Sequence, residues 1–424
     1  MFDGLEMGIF PLIARPALQQ MQASQGLVAT DAFVGLWMGY VTAAFLLGAA
    51  VGGVLFGWLG DRIGRVRAMA ISILCYSLFT GLVYFAQEPW HLLVTRFIAA
   101  LGMGGEWSLG VALVMEVWPE KHRPMLAGVI GAAANVGFAL IAVIGLSFQV
   151  TTESWRWIAL VGAAPALMTF FVRIFVPESE KWQETQREPG VSRPLHDILR
   201  PPLLRSTFLA MILASVALIG TWGSVQWLPL WADQMAQKQA MDTARAEIAA
   251  AGATTQNPPS LHQRAAALKD HNAKAYTQVN SAVGAVIGCL LGGWWGGRLA
   301  RRQGYFLLCL ASLLCCAWLF RGFDSYGMPF LVMTFVVGGV TAAFYGWFPL
   351  YLPELFPTRV RATGQGLSFN AGRVLAAAGA LQMGALMQQF DGSYAKAGAV
   401  ISLVYGFGLV VIWFAPETRG RELP

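Results

Sequence analysis

The sequence predicts an all-α membrane protein, with twelve transmembrane helices arranged as two six-helix halves. Three observations carry this expectation. Only 12% of the 424 residues are charged and 56% are hydrophobic, whereas an ordinary soluble domain has about 25% charged residues. Apolar runs near the length of a membrane span, about 20 residues, follow one another with short breaks almost from end to end. The charged segments between the runs recur in the second half of the chain at nearly constant spacing, the mark of an internal repeat.

Taken in order, the first run at 7 to 22 is preceded by Asp3 and Glu6, which leaves too few residues for a full span. Either this helix is short or translation begins upstream of Met1. The acidic start argues against a secretory signal. Further runs at 33 to 60, 67 to 86, 90 to 117, 125 to 150 and 155 to 177 complete an N-terminal half at 1–177. A linker at 178–205 leads to a C-terminal half at 206–415, with runs at 206 to 232, 276 to 300, 304 to 321, 328 to 352, 363 to 390 and 394 to 415. Residues 416–424 form a tail.

Alternate connections hold the basic residues, among them Arg62, Arg65 and Arg67, then Lys121 and Arg123, then Arg298, Arg301 and Arg302, then Arg359 and Arg361. By the positive-inside rule these connections and the C-terminus are cytoplasmic. The long connection at 233–274 is external, with a short helix at MDTARAEIAAAG and a loose stretch at TTQNPPS. The net charge of +6 is spread one loop at a time, which argues against a nucleic-acid partner. The five cysteines fall inside apolar runs and offer no disulfide framework or metal pattern, the five histidines lie in loops or at helix ends, and no Walker A sequence is present. Neither a membrane enzyme nor an ATP-driven pump is therefore expected.

The repeat pairs Gly57, Gly60 and Arg62 with Gly293, Gly296 and Arg298, and pairs Glu116 and Arg123 with Glu354 and Arg361. PESEKW and PETRGREL close the two halves. Glycines four apart, Gly48 with Gly52 and Gly53 with Gly57 in one half and Gly284, Gly288, Gly292 and Gly296 in the other, predict seams where helices pack closely.

The segment GWLGDRIGR resembles the signature between the second and third helices of the major facilitator superfamily of secondary transporters, and the resemblance spans the chain. RFIAALGMGGEWSLGVALVMEVWPEKHR together with FDGLE looks most like the sialate and monocarboxylate proton symporters, and next like the aromatic-acid and metabolite proton symporters. PESEKW and PETRGREL resemble sugar porters, but TWGSVQWLPLW lacks the seventh-helix pattern of a sugar porter. The resemblance thus implies a proton-driven symporter of a small organic anion in a bacterial inner membrane, working as a monomer without a cofactor. A sugar or polyol porter is the alternative within transport, and a non-transporting sensor is the alternative outside it.

A charge at the centre of a membrane helix needs a partner, water or a function. Asp3 and Glu6 share one helix face and could share a proton, or either could serve as counter-ion to Arg96 or Arg373. Glu106 is a candidate to titrate during transport or to hydrogen-bond structurally, and the resemblance tilts Arg96 toward proton coupling. Arg373 in FNAGR could bind a carboxylate bidentately or pair with a protein acid. Asn135 and Asn370 offer amides, and Trp222, Gln226, Trp227 and Tyr345 offer walls with polar tips, for a substrate site. Phe344 and Trp347 belong to the same aromatic set.

Gly57, Asp61, Arg62, Gly64 and Arg65, with Glu116 and Arg123, predict a cytoplasmic gate in which Asp61 accepts hydrogen bonds from a helix N-terminus or an arginine. Glu354 and Arg361 are expected as partners across the halves, with Arg298 matching Arg62. Topology alone explains the arginines but not the aligned acids. Gly297 replaces Asp61 in the second copy, which predicts an asymmetric gate led by the first half.

Overall fold

The computed structural model of the chain describes residues 1–27, 30–148, 150–187, 193–250, 258–390, 392–421 and 423. Among these residues there are helices and connections and no β-strand. The first half comprises α1 (Phe2–Ser24), α2 (Asp31–Ile63), α3 (Arg65–Leu82), α4 (Pro89–Val117), α5 (Arg123–Ser147) and a broken crossing formed by α6 (Trp155–Val161) and α7 (Ala166–Phe175). Two short helices, α8 (Glu180–Arg187) and α9 (Pro194–Ile198), lie along the linker. The second half comprises α10 (Leu203–Gly223), α11 (Leu228–Ala250), α12 (Pro258–Leu268), α13 (Ala273–Arg298), α14 (Arg301–Gly322), α15 (Met328–Glu354), α16 (Arg361–Gln389) and a broken crossing of α17 (Tyr394–Ile401) and α18 (Val404–Val411).

Nine helical stretches among the described residues are long and apolar enough to cross a membrane. The remaining crossings have visible reasons for falling short of that pattern. Helix α1 carries Asp3, Glu6 and Arg15, α6 and α7 are interrupted at residues 162–165, and α16 carries Arg361, Gln365, Asn370 and Arg373.

Helix starts follow local chemistry. Thr30 caps α2 by accepting from the Phe33 N–H at 3.2 Å, and Glu88 and His91 form a reciprocal cap around Pro89 at the start of α4. Gly64 separates α2 from α3 with φ 108°, and a side chain there would meet the Glu178 carboxylate. That carboxylate accepts from the N–H groups of Arg65 at 2.8 Å and Val66 at 3.1 Å, satisfying the start of α3. The repeat reproduces the cap without the glycine: Glu417 accepts from the N–H groups of Arg301 at 2.9 Å and Arg302 at 3.1 Å.

Within lipid the hydrophobic effect does little to bring helices together, so close packing must do it. Gly48 and Gly52 press α2 onto the α4 backbone, and Gly284, Gly288 and Gly292 press α13 onto the α15 backbone. The neighbouring rows work across the halves. Gly53 and Gly57 meet α16, and Gly293 meets α5.

The connection at 233–274 differs from the expected loop. Helix α11 continues without interruption to Ala250, and α12 folds back beside it. Asp233 pairs with Lys269 at 2.8 Å, Glu247 pairs with Arg264 at 2.7 Å, and Gln239 exchanges two hydrogen bonds with the backbone of Tyr326. The alanine-rich sequence that suggested a short helix instead extends the seventh crossing, because Met235, Ala236, Ala240 and Ala244 give it a continuous buried stripe. Residues 251–257, most of the expected loose stretch, lie outside the described residues.

Candidate functional site

Where the halves meet, a cavity of about 440 Å³ is walled by α1, α2, α4 and α5 from one side and by α10, α13, α15 and α16 from the other. Its lining on α2 runs from Met38 to Leu46 and on α13 from Lys274 to Ala285, the ends of those helices remote from the arginine-rich connections. The cavity therefore lies on one side of the molecule's middle. Most of the wall is apolar, including Phe10, Phe45, Trp107, Phe138 and Phe369.

Seven of the predicted residues outside the arginine-rich end reach this wall together with Asp3: Arg96, Asn135, Trp222, Gln226, Trp227, Tyr345 and Arg373. The sequence break after Gly223 explains the cluster on the seventh crossing. Ser224 leaves the helix, a single 3-10 turn spans Val225–Trp227, and the Trp227 indole N–H donates to the Trp222 carbonyl at 3.2 Å. Tyr345 stands beside Thr221 and Arg373. Asn135 donates to the Gly131 carbonyl at 3.2 Å, within its own helix, while remaining on the wall.

The two cavity arginines differ. Arg96 is held by the Glu6 carboxylate and flanked by the rings of Phe10 and Phe45, so its charge is balanced within the first half. Arg373 is buried, its Cζ lies 5.8 Å from the Phe369 ring, and its Nε and Nη1 have no hydrogen-bond partner among the described residues. A guanidinium with N–H groups to spare has the chemistry to bind a carboxylate.

Several residues stand elsewhere than the sequence suggested. Glu6 is not on the cavity wall; besides Arg96 it accepts from the Thr80 hydroxyl at 3.0 Å, so it does not face a common cavity with Asp3. Glu106 lies beside Tyr76 of α3, with Oε2 buried and unpartnered among the described residues. Asn370 leaves the predicted substrate set: its Nδ2 donates to the Gly366 carbonyl at 2.9 Å and approaches Gly104 at 3.4 Å, filling the seam between α2, α4 and α16. Phe344 and Trp347 pack with Tyr305 and Phe348 in the core of the second half. They face away because α15 presents only one side, with Thr341 and Tyr345, to the cavity.

At the arginine-rich end the halves are tied together. The Asp61 carboxylate contacts Arg65 Nη1 at 2.9 Å and accepts from the Thr363 N–H at 2.8 Å and the Thr363 hydroxyl at 2.5 Å, at the first turn of α16. A carboxylate there also meets the positive end of the helix dipole. Glu116 Oε1 lies 3.1 Å from Arg65 and 3.0 Å from Arg361, and Arg65 donates to the Thr358 carbonyl at 2.7 Å. All four ionic side chains are almost fully buried.

Four predicted members lie outside this junction. Arg123 pairs with Glu120 at 2.7 Å and donates to the Met115 carbonyl, because the turn after Pro119 carries it to the surface. Glu354 binds Arg301, at 2.7 Å and 2.9 Å, and accepts from the Thr418 hydroxyl. It does not reach Arg361, which Glu116 occupies from the other half. Arg62 and Arg298 each stack on a tryptophan one turn earlier, Trp58 and Trp294.

Arg301 with Glu354 thus copies Arg65 with Glu116, and each arginine also donates to a glycine carbonyl five residues earlier, Gly296 and Gly60. The copy has no counterpart of Asp61: Gly297 packs against Pro124 of α5 instead. Glu178, Glu417, Arg301 and Thr363 are missing from the sequence-based site. The repeat contained a signal for the first three, which occupy matched positions in its paired segments.

The sequence profile of the Major Facilitator Superfamily matches residues 5–254. The chain belongs to this superfamily. Among its relatives, the cis,cis-muconate transport protein of Acinetobacter baylyi is 26% identical over 341 residues, covering 78% of this chain and 74% of that protein. The sialic acid transporter NanX of Escherichia coli is 23% identical over 375 residues, covering 88% and 82%. A solved structure of the proton:xylose symporter XylE superposes with a TM-score of 0.74 at 16% identity, covering all of this chain and 94% of that one, a likeness of fold. This major facilitator is a multi-pass integral membrane transporter with a small-molecule substrate, not an enzyme.

Proposed function

We propose that this transporter carries a small organic anion, a monocarboxylate, sialic acid or an aromatic acid, together with protons, by rocking its two halves around the central cavity. The observation that carries the reading is Arg373, which lines an aromatic-walled cavity and has N–H groups without a partner among the described residues, while the charge of the other cavity arginine is already balanced by Glu6. A carboxylate would take the free guanidinium, and the rings of Phe369, Trp222 and Tyr345 would surround its apolar body. The names of the muconate and sialic acid relatives support an organic acid over a sugar.

Proton coupling is assigned to the first half. Glu106 has a buried oxygen without a partner among the described residues beside Tyr76, and Asp3, on the cavity wall, is near enough to act on its charge. The Glu6–Arg96 pair links α1 to α4, so a proton on Glu6 would loosen the packing of the half that must tilt. In this reading the junction built on Asp61 is the closed cytoplasmic gate, with the C-terminus in the cytoplasm and the cavity mouth outside, in a bacterial inner membrane, and the positive-inside rule supports that orientation. The protein works as a monomer, and the proton gradient replaces any cofactor.

Uptake of labelled carboxylates and sugars into proteoliposomes, with and without an imposed pH gradient, tests the reading. Accumulation of a carboxylate that collapses without the gradient is expected. Accumulation of sugars alone, or of carboxylates equally well without a gradient, would overturn it.

A further inference from the structure

Below the cavity, toward the arginine-rich end, the wall closes with an aromatic pair. Trp107 of α4 and Phe369 of α16 stack across the two halves with ring centroids 3.7 Å apart and planes 12° apart. Both rings line the cavity, so together they form its floor.

What lies behind the floor is unexpectedly polar. Gln365 is completely buried, and neither its Nε2 nor its Oε1 has a hydrogen-bond partner among the described residues. The Ser368 hydroxyl, also fully buried, has none either. Buried amides are nearly always paired, so an amide with both ends unpaired calls for an explanation. Simple packing would be served better by Leu at the same position.

The spacing along α16 supplies the explanation. Arg361, Gln365, Phe369 and Arg373 are successive residues four apart and lie on one slowly turning stripe of the helix, each about 6 Å along the axis from the next. Arg373 is in the cavity, Phe369 is its floor, and Arg361 is bound to Glu116 in the junction. Gln365 falls between floor and junction.

We propose that this stripe is the anion's release path, with Gln365 and Ser368 as a polar station that is dry and unpartnered while the junction is closed. When Asp61 lets go of Thr363 and Glu116 lets go of Arg361, the halves separate at this end and the stack parts. Water and the substrate anion then reach Gln365, whose amide N–H replaces part of the coordination lost on leaving Arg373. Arg361, released from Glu116, makes the path favourable to negative charge. That an anion travels this way rests on the proposed function; that the segment becomes accessible to anions does not.

Gln365→Cys in lipid nanodiscs, treated with thiosulfonate reagents and read by site-resolved mass spectrometry, tests both parts without a known substrate. With the junction intact the thiol should react slowly. Adding Asp61→Asn should speed the reaction at least tenfold, and the anionic sulfonatoethyl reagent should then outpace the cationic trimethylammonium reagent at least fivefold. No acceleration by Asp61→Asn would remove the path, and a cationic reagent as fast as the anionic one would remove its anion preference. Ser368→Cys, a change of one atom, carries the same expectations if Gln365→Cys does not fold. Failure of carboxylate uptake alongside these labelling results would count against the proposed function alone.

Discussion

Asp61 of the first half receives both the backbone N–H, at 2.8 Å, and the hydroxyl, at 2.5 Å, of Thr363 in the second half. This is a contact between the two halves. The carboxylate sits at the last turn of α2, and its donors sit at the first turn of α16, where N–H groups have no partner within their own helix. A hydrogen bond to a charged group contributes about 1.5–3 kcal/mol.

Asp61→Asn should therefore shift the balance between closed and open junctions by about 10- to 100-fold, since each 1.4 kcal/mol corresponds to a tenfold change. Protein should still reach the membrane and uptake should fall. Uptake at the unaltered rate, with equal surface amounts, would separate Asp61 from the transport cycle.

Glu116 stands between two arginines that are both fully buried, Arg65 and Arg361. Its removal leaves uncompensated charge, a loss of about 3–5 kcal/mol. Glu116→Ala should depress the melting temperature in detergent far more than Glu354→Ala, because the Arg301–Glu354 pair keeps partial exposure to solvent. Equal losses would mean that burial at the junction does not set the energetics.

If Arg373 anchors a carboxylate, Arg373→Lys should weaken anion binding by about tenfold or more, since an ammonium cannot offer the parallel pair of N–H donors. Competition in proteoliposome uptake measures this directly. Unchanged affinity would exclude Arg373 as the anchor.

If Glu106 carries the coupled proton, Glu106→Gln removes the carboxyl that would hold it but keeps the shape beside Tyr76. Gradient-driven accumulation should be lost while counterflow exchange persists. Intact accumulation would move proton coupling to Asp3 or Glu6.

The tail has its own pH dependence. Burial works to raise the Glu417 carboxyl, but the N–H groups of Arg301, Arg302 and Arg419 outweigh it and hold the carboxyl below its ordinary value. A group with a lowered folded value stabilises the docked tail above the ordinary carboxylate range, and that stabilisation disappears as the pH falls through the folded value. Proteolysis of the C-terminus should accelerate on acidification in the native chain, whereas Glu417→Gln should be cut readily at neutral pH as well. A rate that is flat with pH in the native chain would rule out this latch.

Much of the architecture is readable without coordinates because the membrane imposes it. Uninterrupted apolar runs must be helices, since no other local structure satisfies the backbone in lipid. The repeat announced Glu116 and Glu354 as matched positions. It could not say that Glu116 reaches across to Arg361 while Glu354 stays with Arg301 in its own half. Nor could it say that Asn370 fills a helix seam while Asn135, at a similar place in its half, reaches the cavity. Those outcomes depend on how the helices are rotated and how the halves are tilted, and helical periodicity leaves both free.

By itself, then, the sequence determined the helices, the doubled pattern and the small stock of charged side chains available within the membrane. The tertiary structure decided which of them meet. Asp61 shows the division plainly: its presence and its loss as Gly297 are written in the chain, but its partner Thr363 is some 300 residues away along the chain. Only the packing of α2 on α16, through Gly53 and Gly57, brings that helix start within reach.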